Sequence, residues 1–264
     1  MHGTIYYYYD KVLVANCKLR NLEPYVGKIA RGSAVQLLVY SLETENAYLS
    51  APAEISRDGD FYLAAPSENI IYQIHKNGTL IRAYAATVSQ VEETIMDVPM
   101  SVLAMLQGKL LLHGAVISVR DDIYVVFGEA EMLKCSGLPF TGTILLTEDM
   151  EGYRGILCFR LGNKAELYGQ QPIPKLKGIL ILQHIGQEAG VTLITETKRK
   201  EQLLLEHVVG FSTFSRELQE YISNNTFLKE VGQRLPMAAL GLSKNCKMQD
   251  DIDSYDFGIL NEED

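Results

Sequence analysis

The segment between residues 110 and 149 limits the choice of fold more than any other part of the sequence. Two apolar strands are predicted at Leu110–Ser118 and Ile123–Phe127, joined by a short charged turn, and the second runs directly into Gly128. A loop follows, and then another apolar strand, Thr143–Thr147, which ends in two acids. This order predicts an α/β core in which the strands before and after the loop lie in one sheet.

The loop after the second strand has part of the pattern of a phosphate-binding loop. The usual pattern is GxxxxGK followed by Ser or Thr, in which backbone N–H groups turn towards phosphate and the lysine neutralises its oxygens. Here the segment reads GEAEMLKCS, so Gly128 and Lys134 have the right spacing. Leu133 replaces the second glycine and Cys135 replaces the Ser or Thr, so the motif is degenerate.

Three further features of this loop oppose phosphate binding. Glu129 and Glu131 place two carboxylates where a polyphosphate would lie, and like charges at a few ångströms repel. Leu133 adds a side chain where the backbone needs the freedom of glycine. The segment Leu138–Gly142 contains a proline and leaves little room for the helix whose N-terminus normally binds the anion.

The first 85 residues predict short strands rich in β-branched and aromatic residues. An Asn77-Gly78 pair predicts a tight hairpin between two of them. The predicted strands are Ile5–Tyr9, Val12–Ala15, Gln36–Tyr40, Phe61–Ala64, Ile70–His75 and Leu80–Tyr84.

Helices are predicted after these strands and again near the end of the core. Ser89 and Glu92 form a capping-box pattern for a first helix, and Asp97 with Pro99 predicts a second that ends at Gly108. The later predicted strands are Ile156–Arg160, Lys164–Tyr168, Gly178–Gln183 and Gly190–Ile194, and the later helices are 198–209 and 213–223, followed by a short segment Phe227–Arg234 and an apolar stretch Leu235–Leu242.

Composition and charge exclude several classes of protein. The chain of 264 residues has a net charge of −9, and segment 247–264 contributes −6 of this through seven acids and one lysine. The rest of the chain carries a net charge of −3, which offers no basic face for nucleic-acid phosphates. No nucleic-acid partner is therefore expected. With no long apolar run and no signal-peptide pattern, we expect no membrane partner and a cytoplasmic location. The four cysteines match no zinc or disulfide pattern, so no metal site is expected.

The His113-Gly114 pair on an apolar strand, followed by the loop-bearing strand, resembles the HPr kinase/phosphorylase-like P-loop family. In that family two aspartates follow the next strand, where this chain has Glu148 and Asp149. The resemblance covers roughly residues 85–245 and implies three regions, which are a strand-rich N-terminal region (1–85), an HPr-kinase-like core with C-terminal helices (86–246) and an acidic tail (247–264). The N-terminal region is similar to the variable front half of relatives found beside peptide-modification genes.

The resemblance implies a nucleotide site around the loop. Gly128 would begin the loop, Lys134 would contact phosphate, and Ser136 would contact magnesium if the loop has slipped by one residue. If the chain is active, ATP and Mg²⁺ would be its cofactors, and none is expected otherwise. Lys134 has the alternative interpretation of an ordinary surface lysine.

The resemblance also implies catalytic roles for three residues. Glu148 and Asp149 would be the acidic pair, one acting as the base for a serine hydroxyl and one lying near magnesium, and His113 would lie close to the acceptor. Each has a purely structural alternative, since the two acids can begin a turn and His113 can be a hydrogen-bonded strand residue.

Two functions remain open on this reasoning. In the first, the chain is a pseudokinase that acts as a non-catalytic binding or scaffolding partner in the maturation of a ribosomally made peptide. In the second, it is an ATP-dependent serine kinase of a peptide or protein with an atypical loop. A peptide or protein partner is expected in both, and the resemblance also implies a homo-oligomer.

Overall fold

The computed structural model describes residues 3–8, 11–20, 22, 33–42, 54–119, 122–129, 132–133, 141–149, 152–161, 164–167, 176–186 and 190–243. Within these ranges the chain forms two β-sheets and five α-helices. The protein therefore has an α/β fold, as the sequence predicts.

The first sheet has seven strands, all drawn from the first 85 residues. Their bounds are β1 (Thr4–Tyr8), β2 (Lys11–Ala15), β3 (Ser33–Ser41), β4 (Ser56–Asp58), β5 (Phe61–Ser67), β6 (Ile70–His75) and β7 (Leu80–Ala85). They lie in the order β1-β2-β3-β7-β6-β5-β4, and β3 pairs in parallel with both β2 and β7. The predicted hairpin joins β6 and β7, and Gly78 takes the φ of 69° that its turn needs.

Two helices connect this sheet to the next one, α1 (Val88–Thr94) and α2 (Val98–Leu106). The second begins as predicted, with Asp97 at its N-cap and proline in its first turn, although the Asp97 side chain makes no cap hydrogen bond there. It ends before Gly108, whose φ is 68°. α2 packs against β5, β6 and the first strand of the second sheet, so it lies between the two sheets.

The predicted capping box at Ser89 and Glu92 is wrong by two residues. The N-cap of α1 is Thr87, whose side chain accepts a hydrogen bond from the Gln90 amide while the Gln90 side chain accepts one from the Thr87 amide. Glu92 has a different task, because it is buried and accepts a hydrogen bond from the backbone N–H of Arg20. Both pairs fit the same motif, which is Ser or Thr followed three residues later by Glu or Gln.

The second sheet has eight strands and contains the segment that the sequence singled out. Their bounds are β8 (Leu110–Val119), β9 (Asp122–Phe127), β10 (Thr141–Asp149), β11 (Gly152–Leu161), β12 (Lys164–Leu167), β13 (Leu176–Gly186), β14 (Gly190–Leu193) and β15 (Met237–Ser243). The order is β12-β11-β10-β8-β9-β13-β15-β14. The prediction that β9 and β10 share a sheet is confirmed, with β8 lying antiparallel between them.

The last three helices lie between β14 and β15 in the sequence. They are α3 (Thr197–Glu206), α4 (Arg216–Ser223) and α5 (Thr226–Arg234). α3 and α5 pack against each other. This long connection lets β15 return parallel to β13, which is itself parallel to β9. The apolar stretch predicted at Leu235–Leu242 is therefore mostly a central strand.

Alternate residues of β9 face two different apolar clusters. Val125 and Phe127 belong to the larger cluster, which also contains buried residues of the first sheet and of the helices. Val126 belongs to a smaller cluster on the opposite face of the second sheet, together with Leu133 from the loop after β9. The loop of interest is therefore attached to the smaller cluster.

Several expectations concern parts of the chain that are not described. The acidic segment 247–264 lies outside the described residues, as do Cys135 and Cys246. Cys17 is a free thiol. In the described ranges, no helix is long and apolar enough to cross a membrane.

Candidate functional site

Gly128 occupies the end of β9, where the degenerate loop begins. A β-carbon added at Gly128 would lie 3.1 Å from Cβ of Leu182 and 3.5 Å from Cγ and Cδ2 of Leu133. Its φ is outside the left-handed region that only glycine favours. The glycine is therefore explained by close packing between two leucine side chains, with no need for a phosphate.

Leu133 is the residue that stands in place of the second glycine. Only 2% of its surface is exposed, and its side chain joins the smaller apolar cluster with Val126 and Leu182. Its backbone N–H donates a 2.9 Å hydrogen bond to the carbonyl oxygen of Glu129. In a phosphate-binding loop this amide would point at the anion. Here Met132 and Leu133 are helical, the amide makes an i→i−4 helical hydrogen bond, and the side chain packs against the sheet.

His113 lies level with the end of β9. Its neighbour Gly114 pairs with Phe127, so His113 faces the point where the chain leaves β9 for the loop. On the other side it pairs with Thr143 of β10. The strand β8 thus brings the backbone of His113 level with Gly128.

Gly114 allows the two strands to approach closely. A β-carbon at this position would lie 2.7 Å from Cδ1 of Phe127 and 2.8 Å from the carbonyl oxygen of Val126. Contacts this short do not occur with real β-carbons, and a backbone oxygen in a sheet cannot move away easily. Close packing between β8 and β9 therefore requires glycine at position 114.

A second histidine, His207, lies beside His113 at this end of the sheet. The backbone N–H of His113 donates a 3.0 Å hydrogen bond to the carbonyl oxygen of His207, and the amide of Val209 donates to Leu111 at 2.9 Å. The segment after α3 therefore continues the sheet beside β8 beyond the end of β9. The imidazole of His207 stacks on the ring of Phe127, with centroids 6.0 Å apart. Sequence reasoning found no partner for His207, because 94 residues separate it from His113.

Burial, and to a smaller extent nearby charges, shift the pKa values of the two histidines. Desolvation by the surrounding protein lowers the pKa of His207, opposed by the carboxylates of Glu206 and Glu129 and assisted by His113. Desolvation also lowers the pKa of His113, opposed by Asp97. His113 is the more exposed of the two side chains, so water screens its charge better. Both imidazoles are thus favoured in the neutral form.

The acidic pair lies far from this end of β9. Asp149 is opposite Gly152 in the last pair of the β10–β11 ladder, with two residues between them in the sequence. Along β10, Asp149 lies six residues beyond Thr143, the partner of His113, which corresponds to about 20 Å. The register therefore separates the acidic pair from the loop start by this distance along the strand.

Lys134 and Ser136, the other predicted nucleotide contacts, lie outside the described residues, and only the backbones of Glu148 and Asp149 are described. Among the described side chains, no group of three or more histidines, cysteines and acids could hold a metal ion. The described part of the site consists of His113, His207 and the loop residues packed beside them.

Comparisons with known proteins do not extend this description. No model of a known protein family matches the sequence, and no curated protein matches it.

Proposed function

We propose that the chain is an HPr-kinase-like pseudokinase that acts as a non-catalytic binding or scaffolding partner. Its partner is a peptide or protein, and the process that it serves is the maturation of a ribosomally made peptide. The observation that carries the proposal is the position of Leu133. Its buried side chain packs beside Gly128 and its amide is bonded to the Glu129 carbonyl, so the loop is closed on itself.

A closed loop of this kind fits a triphosphate poorly. Opening it would expose the Leu133 side chain and break the 2.9 Å hydrogen bond to Glu129 before any phosphate oxygen could be bound. The exposed Glu129 carboxylate would then repel the anion. The described residues of this loop therefore oppose the binding of ATP.

The register of β10 supports the same proposal. A base for a serine hydroxyl has to be within hydrogen-bond reach of the acceptor beside the γ-phosphate. Asp149 is about 20 Å along the strand from the level of His113. Its position opposite Gly152 fits the alternative interpretation, in which the acidic pair begins a hairpin turn.

The second candidate is an ATP-dependent serine kinase with an atypical loop. One observation favours it, since His113 lies level with Gly128, where the resemblance places a histidine close to the acceptor. Under this alternative Lys134, Ser136 and Mg²⁺ would hold the phosphates, and Glu148 or Asp149 would act as the base.

Calorimetric titration of the full chain with Mg·ATP separates the two candidates. The pseudokinase proposal expects no saturable heat at micromolar nucleotide in the wild type or in Lys134→Ala. Micromolar affinity in the wild type that is lost in Lys134→Ala would overturn it. Leu133→Gly is an informative third sample, because it restores the glycine of the motif while leaving Glu129 in place.

A second measurement addresses the activity. Phosphate transfer from labelled ATP to serine-containing peptides should be absent for the wild type, and for Lys134→Ala and Asp149→Asn alike. The yield of mature peptide in cells should be the same for all three. A kinase would lose both readouts in the two variants, provided that circular dichroism shows them folded.

A further inference from the structure

A recess of about 310 Å³ lies between the first sheet and α4, away from the loop after β9. Arg57 of β4 and Tyr62 of β5 form one wall. Glu217, Leu218, Glu220 and Tyr221 of α4, with Asn224 directly after it, form the other. The recess therefore has two tyrosines and one leucine among polar side chains, with a cation on the strand side and carboxylates on the helix side.

Tyr62 lines this recess from the side of the first sheet. The side chain is nine-tenths buried, with 8% of its surface exposed. Its pKa is raised mainly by burial, and the charges that act on it are those of Arg57, Tyr221 and Glu217, which all line the recess. Within the described part of the chain, the Tyr62 hydroxyl has no hydrogen-bond partner. The hydroxyl is reached by solvent, so it can offer a donor and an acceptor to a ligand in the recess.

The helix wall offers an unused carboxylate and an exposed ring. Glu217 is exposed and makes no ion pair with any described residue, whereas the neighbouring Glu220 is bonded to Arg216 at 3.0 Å. Tyr221 has 54% of its surface exposed, which is unusually high for a large apolar side chain in this protein. A carboxylate, a tyrosine hydroxyl and an open aromatic face together are the groups that bind an ammonium or guanidinium ion.

We propose that this recess binds the basic side chain of a peptide segment. The ammonium or guanidinium group lies between Glu217 and the Tyr62 hydroxyl, and its aliphatic stem packs on Tyr221 and Leu218. Arg57 lies on the opposite wall, with its Nε donating to the Gly59 carbonyl at 3.1 Å. The positive charge of Arg57 repels a free small cation. In a peptide, however, Arg57 can donate a hydrogen bond to a carbonyl or carboxylate next to the basic residue. A peptide is therefore favoured over a free cation.

Six of the nine net negative charges lie in segment 247–264, outside the described residues, so the preference for a basic partner is argued from the lining of the recess alone. The proposal rests on Tyr62, Glu217 and Tyr221 only. It stands whether or not the loop after β9 binds a nucleotide, so its test is independent of the test of the proposed function.

The probe is a fluorescein-labelled Gly-Ser-Lys-Ser-Gly peptide, measured by fluorescence anisotropy with the full chain. Matched peptides carry arginine, norleucine or glutamate at the central position. We expect the lysine and arginine peptides to bind about tenfold more tightly than the norleucine peptide, as one charge-assisted hydrogen bond would give. The glutamate peptide should bind most weakly.

Variants test whether the recess is the site. Glu217→Gln should reduce the affinity for the lysine peptide to that for the norleucine peptide, and Tyr62→Phe should weaken it severalfold. Glu68→Gln is the matched control, because Glu68 is an exposed acid about 20 Å along the chain from Tyr62. Equal affinities for lysine and norleucine peptides, or an equal loss in Glu68→Gln and Glu217→Gln, would overturn the proposal.

Discussion

The backbone N–H of Leu133 donates a 2.9 Å hydrogen bond to the carbonyl oxygen of Glu129, and the same residue buries its side chain beside Gly128. The two contacts convert a segment with the spacing of a phosphate-binding loop into a packed turn. Leucine is what makes this possible, since glycine at the same position would have no side chain to bury. Leu133 thus stabilises this segment with its side chain, and its backbone N–H is already hydrogen-bonded within the protein.

Truncation of Leu133 measures how firmly the loop is anchored. Leu133→Ala should lower the free energy of unfolding by roughly 2–5 kcal/mol, because it removes a fully buried side chain from a cluster. Urea denaturation gives the value. Met132→Ala, next to it and only half-buried, should cost clearly less. A near-neutral Leu133→Ala would mean that the loop is not held by this side chain.

Gly114 and Gly190 form a matched pair for testing the close approach of β8 and β9. Gly114→Ala should destabilise the protein by about 1–3 kcal/mol or more, because its β-carbon would meet a side chain at 2.7 Å and a carbonyl oxygen at 2.8 Å. Gly190→Ala should change stability by less than about 0.5 kcal/mol, since a β-carbon there meets nothing within 4 Å. Similar melting temperatures for the two variants would contradict this account.

Tyr6, in the tyrosine-rich first strand, makes a specific hydrogen bond through its hydroxyl group. Its ring is fully buried and its hydroxyl accepts a 2.6 Å hydrogen bond from the backbone N–H of Leu19. Tyr6→Phe leaves that buried amide without its acceptor and should cost about 1–3 kcal/mol in urea denaturation. Tyr221→Phe, at an exposed position, should be neutral, and equal costs for the two would argue against the bond.

Stability should fall as the pH is lowered, because His207 is favoured in its neutral form. Its pKa in the fold lies below the ordinary value of 6.5, so the unfolded chain binds the proton first. The contribution is fully present above pH 6.5 and is lost as the pH falls from there through the lowered pKa. His207→Gln should flatten the pH dependence of the unfolding free energy in this window. His113→Gln should flatten it less, since His113 is more exposed, and an unchanged slope in His207→Gln would contradict the prediction.

Local patterns in the sequence were enough to predict most of the elements. The apolar strands on either side of the loop, the Asn77-Gly78 hairpin and the start of α2 at Asp97 all depend on residues that are neighbours along the chain. The same kind of reasoning placed the first capping box two residues too late. Ser89 and Glu92 match the pattern as well as Thr87 and Gln90 do, but in the structure Glu92 accepts a hydrogen bond from the distant amide of Arg20 and Thr87 is the N-cap.

The sequence by itself determined that the loop is degenerate, because the departures at Glu129 and Leu133 can be read directly from the residue types. Only the tertiary structure decided which contacts these residues make. It buried Leu133 against the sheet and brought His207 onto Phe127. Its β10 register carried Asp149 away from the level of His113. These relationships depend on contacts between residues far apart in the chain, for which spacing and periodicity carry no signal.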